Sequence, residues 1–261
     1  MAYPILLIHG MGFRDSKVIN YWGRVPKMLK KAGFDVYYGG QDSNGTTESN
    51  GKVIADKIEE IVRKTNCGKV NIIAHSKGGM DARYAISTLG MGKYVATLTT
   101  LSTPHHGSLT VDRLMKLPDI AVRFVAKCSD IWLKILGDKH PDAYLVFHSF
   151  TTAGAERFNR ENPDDPNVVY RSYAFVMKNA LSDIFMWLPY LVVKHFEGEN
   201  DGLLAPRGVM WGKFMGIKRS SSFRGISHCD EIDMRRMRFS KKKNGISDIL
   251  DVYREITGFL P

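Results

Sequence analysis

The sequence predicts an α/β fold: a mostly parallel central sheet flanked by helices, in a single domain over residues 1–261 with a helical insertion at 108–165. Three observations carry this. Short apolar or β-branched runs, Pro4 to Ile8, Val70 to Ala74 and Val95 to Leu101, alternate with segments of helical period, the rhythm of βαβ units. The runs end in small-residue loops, His9-Gly10-Met11-Gly12, Ser76-Lys77-Gly78-Gly79 and Ser102-Thr103-Pro104-His105-His106-Gly107. After Gly107 the rhythm breaks into an amphipathic helical stretch.

In chain order, Pro4 to Ile8 reads as a buried strand feeding a glycine loop. Trp22, Val25 and Leu29 predict a helix over 21–31 that stops at Gly33, and Phe34 to Tyr38 a second strand. Residues 39–51 read as a polar turn-rich loop, and Ile54, Ile58, Ile61 and Val62 place a helix from Lys52 towards Gly68. Strand 70–75 leads to a helix from Gly79 to Leu89, closed by Gly90, and Val95 to Leu101 forms the next strand. In the insertion, Leu114, Leu117, Ala121, Phe124, Cys128, Ile131 and Ile135 step by three and four. The stretch is broken at Pro118, which suits the first turn of a second helix; the apolar face is expected to pack on the core, with a lid as the other reading because the insertion follows a strand that ends near the serine. Val168 to Met177 resumes strand character, and 181–195 is strongly apolar, with Phe185 and Trp187 as candidates for an acyl pocket or the core. A Gly- and Ser-rich stretch at 212–227 leads to His228, and an amphipathic helix at 246–259 closes the chain.

Composition narrows the class. Hydrophobic residues make up 44% of the chain, ample for a core, yet no run of about eighteen apolar residues suggests a membrane span. No basic, apolar leader precedes the first strand, so the expected address is cytoplasmic, or secreted if a signal peptide has been removed. Three scattered cysteines form neither a disulfide framework nor a metal pattern. The net charge of +10 raises nucleic acid or anionic lipid as partners. Its densest run, Arg235 to Lys243, lacks any nucleic-acid-binding motif and reads as a solvated loop, so no nucleic-acid partner is expected.

The chemistry centres on Ser76. A strand, a sharp turn and a helix with a serine at the apex form a nucleophile elbow, whose strain requires small neighbours two residues before and after. Here Ala74 and Gly78 supply them, so the usual G-x-S-x-G reads A-x-S-x-G. A serine needs a base and an orienting acid, and in this arrangement they follow in the order serine, acid, histidine. His228 lies on a late loop before the terminal helix, as the base should; His75 adjoins the serine and is expected to point away. Glu197, Glu199 and Asp201 share one loop; Asp201, before Gly202, is the preferred acid, with Asp183 as an alternative. Oxyanion donors are expected from the N–H groups of Lys77 and Met11.

These residues resemble the bacterial true lipases of the α/β-hydrolase superfamily. The matching segments are Ile5 to Met11, Asn71 to Gly79 and Thr103 to Ser108; Thr151 to Asn159 is similar to the Pseudomonas-type lipases. Asn200-Asp201-Gly202-Leu203 resembles the segment with their catalytic acid, Ser227 to Glu231 the one with their histidine, and Tyr21-Trp22-Gly23 the thermophilic Bacillus-type branch. The resemblance implies Ser76 as nucleophile, His228 as base, Asp201 as acid, Met11 and Lys77 at the oxyanion hole, and 108–165 as a lid. It further implies a structural calcium at Asp230 with Asp183 as partner, and no cofactor for catalysis. The short loop after Gly39 lacks the histidine-containing insert that carries zinc in the Bacillus-type branch, so no zinc is expected. The leading expectation is a lipase-like serine carboxylic-ester hydrolase acting on acylglycerols or other acyl esters, with transient lipid contact through the lid. An esterase or thioesterase on soluble acyl substrates, an acyltransferase and a silent binding protein of the same fold are the alternatives.

Overall fold

The structure, a computed structural model, describes residues 2–12, 20–240 and 245–261. Six parallel strands lie in the order β2-β1-β3-β4-β5-β6. They are β1 (Ile5–Ile8), β2 (Val36–Tyr38), β3 (Val70–His75), β4 (Val95–Leu101), β5 (Val169–Phe175) and β6 (Lys213–Lys218). β1, β3 and β4 are buried along their whole length, as strands covered on both faces must be.

The pleat divides the core. Ile5, Leu7 and Ile73 face one side, where they pack with Trp22, Leu29, Tyr173, Tyr253 and Ile256 under helices α1 (Val25–Lys31) and α10 (Ile249–Thr257). Leu6, Ile8, Ile72 and Ala74 face the other, against Ile54, Ile58, Ala82 and Ile86 of α2 (Thr47–Thr65) and α3 (Gly78–Ser87).

Several boundaries differ from expectation. α2 begins at Thr47 rather than Lys52, because the Thr46 side chain caps it by accepting from Ser49 N–H. Gly51 is no loop breaker: a Cβ there would meet the Tyr84 ring at 2.5 Å, so the glycine lets α2 and α3 pack closely. Pro118 stands at the N-cap of the helix α5 (Asp119–Ile135) rather than in its first turn. The apolar stretch after 181 forms α8 (Trp187–Glu197). Gly216, at φ +89°, interrupts β6, which pairs with β5 through a register shift between Ser172 and Ala174.

Between β4 and β5 run four helices, α4 (Leu109–Leu114), α5 (Asp119–Ile135), α6 (Ala143–Ser149) and α7 (Thr152–Glu161). The excursion leaves and returns at one place: Ser108 N–H donates to the Phe150 carbonyl at 3.0 Å, and the Gly107 α-carbon lies against the Thr151 backbone. Its far end is tied to the loop after β2, where Asp138 accepts from the N–H groups of Ser43 and Asn44, and Asp42 from those of Lys139 and His140. The expected burial of the α5 apolar face does not hold. Only Ala126 and Leu133 are buried, while Ile120, Phe124, Ile131, Trp132 and Ile135 are exposed. The remaining helix, α9 (Pro206–Val209), is one short turn.

Candidate active site

Ser76 sits at the C-terminal end of β3 with φ +52°, the left-handed conformation that a nucleophile elbow requires. Its neighbours show why small residues are needed. A Cβ on Gly78 would lie 2.3 Å from the His9 carbonyl oxygen, and one on Gly79 would lie 2.2 Å from the Thr103 hydroxyl. Ser76 N–H donates to the Leu101 carbonyl and Thr103 donates to the Ser76 carbonyl, pinning the turn to β4.

His228 and Asp201 arrive from late loops. His228 Nδ1 lies 2.9 Å from Asp201 Oδ2, and His228 N–H donates to the Asp201 carbonyl at 2.8 Å. The other carboxylate oxygen of Asp201 accepts from Leu203 and Leu204 N–H, each at 2.8 Å. Complete burial would push this carboxyl up, but His228 and the Leu203 N–H hold it below the usual carboxylate range. The alternative acids lie elsewhere. Glu197 accepts from Ser108 and Thr110 at the foot of α4, Glu199 pairs with Arg219, and Asp183 accepts from Ser227 and Phe185.

Ser76 and His228 open on one apolar cavity of about 600 Å³, whose walls include Met11, Leu114, Leu117, Val125 and Met186. Phe185 and Trp187, the sequence candidates for this lining, are instead 70% and 49% exposed. The loop carrying Met11 is held by Tyr21, whose hydroxyl accepts from Gly10 N–H, and by His9, whose ring meets the Gln41 carbonyl. Lys77 is buried; its ammonium reaches both oxygens of Asp81 at 2.8 and 2.7 Å, and Asn50 donates to the same carboxylate.

Four supporting residues were not read from the sequence. His75 does not point away: its ring lies 4.4 Å from that of His228, with Nδ1 2.7 Å from the Tyr21 hydroxyl. Glu231 Oε2 lies 3.3 Å from His75 Nε2, and its Oε1 accepts from Ser102, itself held at φ +41°. Burial and the adjacent Asp201 charge push the Glu231 carboxyl well above the usual carboxylate range. Burial and the neighbouring His228 keep His75 neutral. Only the pleat of β3 hinted at this, since it turns His75 to the Ile73 face.

The expected calcium donors do come together, yet the set does not fit the ion. Both Asp230 oxygens accept from the Arg235 guanidinium, and Asp183 is already used by Ser227 and Phe185 N–H. Calcium takes six to eight oxygen ligands with carboxylates among them, and the Arg235 guanidinium covers both oxygens that Asp230 would offer. Arg235, read as the start of a solvated basic run, is thus part of the interior; Lys241 to Lys243 of that run lie outside the described residues.

A parallel sheet with such an elbow at β3 defines a class. Residues 3–179 match the family model described as alpha/beta hydrolase fold, and the chain belongs to that family. It is 28% identical over 221 residues to triacylglycerol lipase 2 of Saccharomyces cerevisiae, covering 82% of this chain and 63% of that protein. It is 27% identical to the triacylglycerol lipase of Pseudarthrobacter phenanthrenivorans over 174 residues, 62% of this chain and 54% of the other. The triacylglycerol lipase of Vibrio cholerae is 29% identical over 258 residues, 88% of this chain and 80% of its own length. The chain therefore spans less than two thirds of the first two relatives. Among solved structures, the mature Bacillus licheniformis lipase BlEst2 superposes with a TM-score of 0.70 at 21% identity, covering 98% of this chain and 91% of that one. The Staphylococcus hyicus lipase gives 0.67 at 17%, with 98% and 95% covered. These likenesses fix the fold. Among the described residues no helix is long and apolar enough to cross a membrane.

Proposed function

We propose that this protein is a serine carboxylic-ester hydrolase of lipase type, with Ser76 as nucleophile, His228 as general base and Asp201 as its orienting acid. The observation that carries the reading is the buried Asp201–His228 hydrogen bond opening on the same apolar cavity as Ser76. Asp201 holds the proton on His228 Nδ1, which leaves Nε2 free to accept the serine proton. Ser76 Oγ then attacks the ester carbonyl, and the oxyanion takes hydrogen bonds from the N–H groups of Met11 and Lys77. As the C–O bond breaks, His228 returns the proton to the leaving alcohol. Water, activated by the same histidine, attacks the acyl-enzyme, releases the acid and restores Ser76.

The apolar walls favour an acyl chain over a polar substituent, and the names of the curated relatives point to acylglycerols. Ala121, Val122 and Val125 of α5 line the cavity, and the exposed apolar residues of the same helix suit a transient seat on a lipid surface, with the helices between β4 and β5 as the lid. The deciding experiment is p-nitrophenyl ester hydrolysis across acyl lengths, below and above substrate aggregation, with Ser76→Ala beside it. Activity rising with chain length and at the aggregate, and falling about 10⁴-fold or more in Ser76→Ala, is expected. Near-normal turnover in a folded Ser76→Ala variant defeats the reading.

A further inference from the structure

We infer that Arg235 is a built-in cation: its guanidinium joins the turn carrying His228 to the backbone at Ser182, and the corner takes up calcium only when that guanidinium is removed. Nε and Nη2 of Arg235 meet the two oxygens of Asp230, while Nη1 donates to the Ser182 carbonyl at 3.0 Å. Arg224 donates to the same carbonyl through Nε, at 2.9 Å, and Nη2. A planar fork matches a carboxylate in this two-point manner, and an ammonium does not.

The corner needs positive charge. Asp183, Asp201 and Asp230 are all less than 5% exposed, and burial together with these neighbouring carboxylates pushes up the thiol of Cys229. A divalent ion seated between Asp230 and the Ser182 carbonyl would displace three N–H donors and face two guanidinium groups. With both arginines in place, that exchange gains little and costs the charge-assisted bonds.

Arg235 acts on the site through Asp230. Oδ2 of Asp230 accepts from Ser227 N–H, Ser227 Oγ accepts from Asp230 N–H, and the same hydroxyl donates to Asp183. His228 lies inside that cage, one residue after Ser227. Arg235 is therefore a positioning residue for His228. The effect on turnover rests on His228 being the base; the effects on stability and calcium do not.

The test is thermal unfolding of the wild type, Arg235→Met and Arg235→Lys, each with chelator and with about 5 mM calcium or magnesium chloride, alongside ester kinetics. The wild-type melting temperature is expected to be the same in all three conditions. Arg235→Met should melt about 5 °C or more lower. Calcium should restore a large part of that loss and of kcat, magnesium less, with KM little changed. Arg235→Lys, which keeps a charge but loses the fork, should fall between and stay indifferent to calcium. Should Arg235→Met not fold, titration calorimetry of calcium into the wild type decides: no heat supports the inference, and saturable binding overturns it. Chelator sensitivity in the wild type, or an Arg235→Met variant as indifferent to calcium as the wild type, also overturns it.

Discussion

Gly10 lies so close to Ser76 that a Cβ built on it would stand 2.7 Å from the Ser76 Cβ, and 3.0 Å from both the His75 carbonyl oxygen and the Tyr21 hydroxyl. The backbone is not in a left-handed conformation here, so the demand for glycine is one of space alone. It lets the loop with Met11 reach over the serine.

Gly10→Ala should therefore move the proposed oxyanion donor away from Ser76. We expect kcat to fall by about 10²-fold with a smaller change in KM, as misplacement near a reacting centre does. Gly12→Ala is the contrasting variant: nothing lies within 4 Å of a Cβ there, but φ is +92°. It should cost roughly 1 kcal/mol of stability and leave kcat within a few-fold. Equal losses of kcat in the two variants would separate the close approach from turnover.

Asp201 and His228 should behave as one unit with Ser76. Asp201→Asn keeps the shape but disfavours the required tautomer, and kcat should fall by about 10⁴-fold. Combining His228→Ala with Ser76→Ala should cost hardly more than Ser76→Ala alone. Losses that multiply in steady-state kinetics would show that the residues act independently.

The buried carboxyl of Glu231 and the buried ring of His75 give opposite dependences of stability on pH. Glu231 ionises far less readily folded than unfolded, so above its unfolded pKa of about 4.3 the unfolded state sheds protons first and stability falls as pH rises. His75 and His105 are held neutral, so below about pH 6.5 the unfolded state gains protons and stability falls as pH drops. Glu231→Gln keeps a neutral donor beside Asp201 and removes only the first effect. The melting temperature of this variant relative to wild type should thus rise as the pH climbs above the unfolded carboxylate pKa of about 4.3. A difference that does not change with pH would mean Glu231 is already ionised.

Lys77 and Asp81 form an ion pair that is 2% and 1% exposed. Lys77→Met or Asp81→Leu alone strands a buried charge and should cost about 3–5 kcal/mol in chemical denaturation. The double variant should lose less than the sum of the two. Additive losses would show that the charges do not stabilise one another.

The parallel sheet and the meeting of Asp201 with His228 were legible because both follow chain order: apolar runs of strand length, then a loop acid and a late histidine. Tyr21, His75, Ser102 and Glu231 were not, because each earns its place only when strands far apart in sequence become neighbours. Tyr21 reads as the apolar start of a helix, and Glu231 as one more charge in a polar stretch. The outward-facing apolar residues of α5 were misread for a related reason. Helical period says which residues share a face, not whether that face meets protein. Arg235 reads as a surface charge because its partners, Asp230 and the Ser182 carbonyl, are set by a turn and by a segment 53 residues away.

The hydrogen bond from Ser108 to the Phe150 carbonyl also bears on how such a molecule diversifies. Because the chain leaves and re-enters the body at one point, the stretch from 109 to 149 can lengthen or shorten without moving a strand, provided its ties to the loop after β2 are kept. The ordering cost of such a loop grows only slowly with its length. Substrate range can then change through this single cassette, while the sheet beneath continues to present the same serine.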